Sequence, residues 1–252
     1  MNDDIICGIN AVRALFQRRP QDVQRLFYTA PLRPLAGPLC AQLAERRQPY
    51  RELPPEEMQK ASGTTHHGGI AAIAKPRAIP FLDIDNPPQA QLLLVIDQIA
   101  NPYNLGAIAR GAAFFGVTAL LLHDTRQAAM PSDAVHRTAE GGLEYLDLYR
   151  TKDLARAIHG LDRHYRTAAV TLRSQAVPFA TLPRDRPLAL VLGNEERGVS
   201  LPVLQACRRE IRIEGARHMH SLGIAQTAAI LLQAYTAPAQ MAPMEAAASG
   251  AA

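Results

Sequence analysis

Two rhythms of apolar and polar positions divide the chain. In the first third, helical spacing fits Ala11 to Arg18 with Asn10 as N-cap, and a strand fits Val23 to Thr29. A second helix fits Leu35 to Arg46, and the apolar run Gly69 to Ala74 reads as a closing strand. Four prolines between Lys75 and Gln91 exclude regular helix and central strand there, which predicts a linker over 77–91 between a small first unit, 1–76, and a larger second one, 92–236. From Leu92 the apolar runs lengthen: LLLVID (92–97), VTALLLH (117–123), RTAAVTL (166–172), PLALVLG (187–193) and REIRI (209–213). Continuous Leu- and Val-rich runs of this kind are strands buried on both faces. Helical spacing recurs between them at Leu105 to Phe115, Asp133 to Leu143, Leu154 to Leu161 and Ser221 to Tyr235. Alternation of strand and helix predicts an α/β fold with a mostly parallel sheet, followed by a low-complexity tail over 237–252.

Composition narrows the picture. A chain of 252 residues that is 48% hydrophobic and 20% charged is not predominantly disordered. Its longest apolar runs fall far short of the ~20 residues of a membrane-spanning helix, and the start MNDDIICGIN lacks a basic region followed by an apolar one. Neither membrane span nor export signal is expected, and the cytoplasm is the expected location. Cys7, Cys40 and Cys207 stand far apart without a CxxC pair, so neither a disulfide framework nor a zinc module is encoded. His218, His220 and Cys207 lack ligand spacing, so no metal is expected. The net charge of +4 is unevenly placed: residues 1–77 hold 11 Lys and Arg against 7 Asp and Glu, whereas 78–252 hold 16 of each. The excess in the first unit is a weak footprint for a polyanionic partner.

Neither GxGxxG nor GxxxxGK[ST] is present, which disfavours a dinucleotide oxidoreductase and a P-loop NTPase. The informative text lies at three strand ends, where open α/β sheets carry their sites. In IDQIANPYNLGAIARGAAFFGV (96–117), Asn101-Pro102 closes a strand, Asn104 is placed to cap the next helix, and Arg110 projects from its early part. In LVLGNEERGVS (190–200), a strand enters a Gly-bounded loop carrying Glu195. In IRIEGARHMHSLGIAQTAAILLQAY (211–235), Ser221 is placed to cap an Ala- and Leu-rich helix with Leu222 at its mouth. Taken singly, each passage also reads as an ordinary capped helix or surface turn.

Together, in this order, the three passages resemble the SpoU (TrmH-type) family of RNA ribose 2′-O-methyltransferases of the SPOUT class. GINAVRAL (8–15) and HGGIAAIAKP (67–76) resemble the opening and the close of that family's RNA-binding domain. The resemblance implies an L30e-like N-terminal RNA-binding domain and a SPOUT domain with a deep trefoil knot. It also implies S-adenosylmethionine as methyl donor, structured rRNA or tRNA as substrate, and a homodimer. Carried over by motif, Asn104, Arg110, Glu195 and Ser221 match catalytic positions, and Leu192, Gly193, Asn194, Gly198, Ile213 and Leu222 match donor-contacting ones. Arg13, His67 and Arg110 match RNA contacts. A ribose hydroxyl is a poor nucleophile that needs in-line alignment and charge stabilisation. Because guanidinium stays protonated, Arg110 is expected to stabilise charge and anchor phosphate, with phosphate or water taking the proton.

The third passage departs from the family's IPMxGxxxSLNVSVA. Gly223 stands at the asparagine, Glu214-Gly215 at Pro-Met, and Ala225 at the later serine; in the first passage, Asn101 stands at an aspartate and Gly111 at a threonine or serine. Removing one preorganised donor can cost ~10²–10³ in rate. An RNA-binding protein that has lost catalysis on the same scaffold is therefore the alternative, and a methyltransferase for small molecules or protein is a third.

Overall fold

The computed structural model describes residues 3–216, 218 and 221–237. Arg217, Met219, His220 and nearly all of the predicted tail lie outside the described residues.

The first unit is a four-stranded sheet with helices on it. Its strands β1 (Asp4–Cys7), β2 (Val23–Tyr28), β3 (Tyr50–Glu52) and β4 (Ile70–Ala74) take the order β1-β4-β2-β3, with only β2 and β3 parallel. Helices α1 (Ile9–Arg18) and α2 (Arg33–Glu45) bury Val12, Leu15, Leu39 and Leu43 on one face, against Ile6, Leu26 and Ile70. On the other face α3 (Pro55–Ser62) sets Met58 against Cys7 and Ala71. Strand β1, for which the apolar rhythm predicts no element, pairs β4 along its length.

The second unit is a seven-stranded parallel sheet, as the alternation predicts. It comprises β5 (Leu92–Ile96), β6 (Ala119–His123), β7 (Asp147–Thr151), β8 (Arg166–Val170), β9 (Val177–Pro178), β10 (Leu188–Leu192) and β11 (Arg209–Arg212). The order is β7-β6-β5-β10-β8-β11-β9, every pair parallel. Alternate strand residues serve two cores, which is why the runs read as continuously apolar. Leu94, Ile96, Leu120 and Leu190 face α4 (Pro102–Phe114), α5 (Asp133–Ala139) and α8 (Ile224–Thr236). Leu93, Val95, Leu121 and Val191 face α6 (Leu154–Leu161) and α7 (Leu201–Ala206). Insertion of β10 between β5 and β8 makes a topological switch, the place where such sheets bind ligands.

A tight joint connects the two units. Arg19, just past α1, grips Glu144 with two bonds, Nε to Oε2 at 2.7 Å and Nη2 to Oε1 at 3.1 Å. Glu144 lies in a short 3₁₀ turn, Gly142–Tyr145, and its side chain is 1% exposed. Arg77, beyond β4, donates to the carbonyls of Leu143 and Leu146, and its own amide donates to Asp4 at 3.1 Å. His136 of α5 is buried between Asp4 and Glu144, each 3.9 Å away. Close approach is permitted by paired glycines. A Cβ on Gly141 would lie 2.8 Å from that of Ala14 in α1, and one on Gly142 would lie 2.9 Å from the Cα of Arg110 in α4.

Candidate active site

The carboxyl edge of the switch gathers the loops that the sequence singles out. Strands β5, β10, β8 and β11 are neighbours, so Asp97, Gly193, Leu172 and Ile213 emerge side by side just beyond their ends. Gly193 is compelled by crowding: a Cβ there would sit 2.1 Å from the backbone nitrogen of Val199. The loop closes on itself through a two-way backbone bridge between Asn194 and Gly198, at 3.0 and 2.9 Å.

Asn194 spends its whole amide on this loop. Its Nδ2 donates to the Gln98 carbonyl at 2.9 Å, while its Oδ1 accepts from the amides of Glu196 and Arg197. Glu195 receives Nδ2 of Asn104 at 2.8 Å and that of Asn194 at 3.3 Å, one on each carboxylate oxygen. Two passages separated by 91 residues thus meet, as their motifs predict. With both oxygens engaged, Glu195 is suited to orient the loop and Asn104 rather than to carry a proton. The capping role expected of Asn104 belongs instead to Asn101, whose Oδ1 accepts from the Tyr103 amide at 2.9 Å, leaving the Asn104 amide free to reach Glu195.

Beneath the loop lies Asp97, which directly follows β5 and carries no motif of its own. It is fully buried, accepts from the amide and the hydroxyl of Ser200 at 2.7 Å each, and faces Nδ1 of His123 at 2.9 Å. Burial pushes its carboxyl up most strongly, yet the hydrogen bonds from His123 and Ser200 outweigh that and hold it below the ordinary carboxylate value. Serine and histidine both address the aspartate rather than each other, so this trio positions the loop and is not a nucleophilic triad. A hollow of about 400 Å³ beside it is lined by Asp97, Gln98, Arg173, Asn194 and Ser200 among others.

The remaining expected residues are distributed differently. Ile213 is half-buried against the core, whereas Leu222 is 52% and Leu172 69% exposed. Leu192 is fully buried at the end of β10. Ser221 is exposed and does not cap α8, which begins at Ile224 with Gly223 as N-cap. Among the described residues, no hydrogen bond links Ser221 to Asn104, Arg110 or Glu195. Glu214 is exposed and lies 3.5 Å from Arg212. Burial pushes the Cys207 thiol up to about 12, so it offers no thiolate. The described residues contain no group of three or more His, Cys, Asp or Glu placed for a metal ion.

Arg110 faces away from this loop, toward the joint. Its Nη1 donates to Glu140 at 2.9 Å, and Nδ2 of Asn10 donates to the other oxygen of the same carboxylate at 3.3 Å. Asn10 is therefore not the cap of α1, a position held by Gly8; its amide is recruited across the joint. Glu140 sits in the left-handed region at φ 45°, a conformation that costs a non-glycine residue roughly 1–2 kcal/mol. Arg13 lines the same cleft as Arg110. His67 does not; its Nδ1 accepts from the Gly69 amide at 3.0 Å within a turn.

Leu172 and Ile213, just beyond the ends of neighbouring strands, give this edge an apolar side next to the crowded glycine loop, a setting that suits a nucleoside-type methyl donor.

Similarity to known proteins agrees with this geometry. A family model described as RNA 2′-O ribose methyltransferase substrate binding matches residues 5–80. The chain is 28% identical over 229 residues to an uncharacterized tRNA/rRNA methyltransferase, YfiF, of Escherichia coli O157:H7, covering 90% of this chain and 66% of that protein. It is 32% identical to an uncharacterized tRNA/rRNA methyltransferase of Haemophilus influenzae, covering 74% of this chain but only 54% of that one. With the 23S rRNA (guanosine-2′-O-)-methyltransferase RlmB of Acinetobacter baylyi it shares 27% identity, over 89% of this chain and 93% of the other. Among solved structures, the SpoU methyltransferase AviRb of Streptomyces viridochromogenes in complex with AdoMet superposes with a TM-score of 0.77 at 19% identity, over 93% of this chain and 89% of that one. A second family model, the SpoU rRNA methylase family, matches residues 91–233, more than half of the chain, and the protein belongs to that family.

Proposed function

We propose that the protein transfers a methyl group from S-adenosylmethionine to a ribose 2′-hydroxyl of structured RNA, either rRNA or tRNA. The observation that carries this reading is the Asn104–Glu195 contact at the switch edge of a SpoU sheet, the edge from which Ile213 also emerges. Leu192, Gly193, Asn194 and Gly198, with Ile213 and Leu222, are the residues that would hold the donor. When bound, the donor supplies an electrophilic methyl group on a sulfonium.

The chain's own residues do the rest. Asp97 and Asn194 fix the loop, Glu195 orients Asn104 toward the reacting centre, and Ser221 stands at the mouth of α8. Arg110, permanently cationic and turned toward the joint, anchors an RNA phosphate there, while phosphate or water removes the proton from the attacking hydroxyl. Arg13 and His67 belong to the first unit, which we read as an L30e-like RNA binder. We further infer a trefoil knot formed by the chain between β10 and α8. A homodimer would cover the exposed Tyr103 and Ile230 of the packed helices α4 and α8. The working location is the cytoplasm, with the RNA.

The test is incubation with tritiated S-adenosylmethionine and undermethylated total RNA, followed by alkaline hydrolysis. Label retained in alkali-resistant dinucleotides is expected; no label above background, with donor demonstrably bound, removes the claim. One observation favours a second reading, an RNA-binding protein without catalysis: Gly223 offers no side chain where the family places an asparagine. Calorimetric titration with the donor and its demethylated product separates the two, since loss of transfer relaxes the need for donor affinity.

A further inference from the structure

The joint between the two units is not sealed. Where α1 faces α4 and the 3₁₀ turn, a cleft of about 450 Å³ remains open, lined by Asn10, Arg13, Gln17, Arg110, Phe114 and Tyr145 among others. Its walls combine two chemistries. Phe114, one turn beyond Arg110 on the same helical face, is 82% exposed, the most exposed large apolar side chain among the described residues. Phe115 meets this ring edge to face at a centroid distance of 5.1 Å, which leaves most of the Phe114 surface open to a stacking partner. Opposite, Tyr145 is fixed rather than free: its hydroxyl donates to Oε1 of Gln17 at 2.8 Å, and the guanidinium of Arg18 lies 5.6 Å from its ring centre.

Charge around the cleft is unbalanced. Arg13 and Arg110 line it and Arg18 lies against the Tyr145 ring, whereas Glu144 is already committed to Arg19 and Arg77. Among the described residues lining the cleft, Glu140 is the one carboxylate, and it is held by Arg110 and Asn10. Exposed ring and surplus arginine together are the means by which proteins hold unpaired nucleotides: a base stacks on the ring while its phosphates meet the guanidinium groups.

We propose that this cleft holds an unpaired nucleotide of the substrate RNA, its base stacked on Phe114 and its flanking phosphates on Arg13 and Arg110, the latter leaving Glu140. The inference rests on the RNA reading above and adds the place and mode of binding. Glu140 then acts as a stand-in anion that occupies Arg110 until phosphate arrives.

The test uses the full chain and a short fluorescein-labelled oligoadenylate, with an abasic strand of equal length as control, read by fluorescence anisotropy. Phe114→Ala should weaken oligoadenylate binding roughly tenfold. It should leave the abasic strand unaffected, and Phe114→Trp should restore the loss. Glu140→Gln should tighten both strands about threefold and steepen the salt dependence, because Arg110 is released to a phosphate. Oligoadenylate bound equally by wild type and Phe114→Ala overturns the cleft while leaving RNA binding intact. A wild type that binds neither oligoadenylate nor total RNA overturns the RNA reading and the cleft with it. Sedimentation supplies the third outcome: if Phe114→Ala turns a dimer into a monomer, the ring belongs to a second copy of the chain and the proposal falls.

Discussion

The joint between the units and the donor edge of the large sheet are built on opposite plans. At the joint, Glu144 is 1% exposed and held by both arms of Arg19, His136 is buried beside it, and Gly141 lets the backbones nearly touch. At the edge, Leu172, Leu222, Ser221 and Glu214 are all exposed. Native structure is over-determined where two domains must keep one relation, and sparsely determined where a ligand is to complete the packing. The difference teaches which region is a part of the scaffold and which waits for a partner.

The largest effect is expected from cutting the joint. Glu144→Ala strips the buried guanidinium of Arg19 of its main partner, and breaking a buried pair from one side costs about 3–5 kcal/mol. Urea unfolding followed on a tyrosine signal should change from one transition to two, and proteolysis over 77–91 should quicken. A single unshifted transition would mean that the two units do not depend on the joint. Gly141→Ala comes next. The new methyl group meets Ala14 at 2.8 Å in a backbone with φ 92°, a double conflict worth roughly 1–3 kcal/mol. Because Gly141 bears no charge, the same splitting of transitions would show that contact as well as charge holds the units together.

A smaller, pH-dependent loosening should follow from His136. Burial, the dominant cause, holds its pKa below the ordinary 6.5, against the attraction of Glu144 and Asp4 and with the repulsion of Arg19. The undocked chain therefore takes up a proton first, and stability of the joint declines as pH falls from about 6.5 toward the folded-state value. Asp4, raised chiefly by burial, takes up a proton in its turn and offsets part of the decline. Unfolding midpoints between pH 8 and pH 5 should slope downward on acidification in the wild type and flatten in His136→Gln. An equal slope in both would assign the effect elsewhere.

These contrasts also explain how far the sequence could be read. Strands β5, β6, β8 and β10 of the parallel sheet are legible because burial on both faces makes their text nearly continuously apolar, whereas β11 fully buries only Ile211. Strand β7 is not, since Asp147–Thr151 lies at the sheet edge and mixes charge with Leu148 and Tyr149. The three side chains expected to cap helices show the limit more sharply. Asn10 and Asn104 instead reach Glu140 and Glu195, partners 130 and 91 residues away, and Ser221 leaves the N-cap of α8 to Gly223. Local spacing states which side chains can cap; it does not contain the distant carboxylate that outbids the helix. Asn104 and Glu195 were nevertheless both named, because family motifs preserve what folding brings together, whereas the Arg19–Glu144 pair and Asp97 carry no local mark beyond a charged residue beside apolar text.

The smallest structural effect, with a large functional one, is expected at the donor edge. Gly223 has φ −59° and ψ 148°, an extended conformation open to any residue. A Cβ there meets only the side-chain end of Gln226, at 2.3 Å from its Oε1, and Gln226 is an exposed residue that can swing away. Gly223→Asn should therefore fold with a stability change within about 0.5 kcal/mol. It also returns to the site the amide that the family's motif carries, two donors and an acceptor beside the reacting centre. If absence of that amide limits methyl transfer, the variant should raise the rate roughly tenfold or more on the same RNA. Donor affinity, measured alongside, should move far less, since the amide would act on developing charge. A rate that stays level while the fold and donor binding are intact would place the limit elsewhere, and the ion pair between Arg110 and Glu140 then becomes the barrier to relieve. Glu140→Gln in the Gly223→Asn background resolves the two, because a gain confined to the double variant requires both the restored amide and a freed guanidinium.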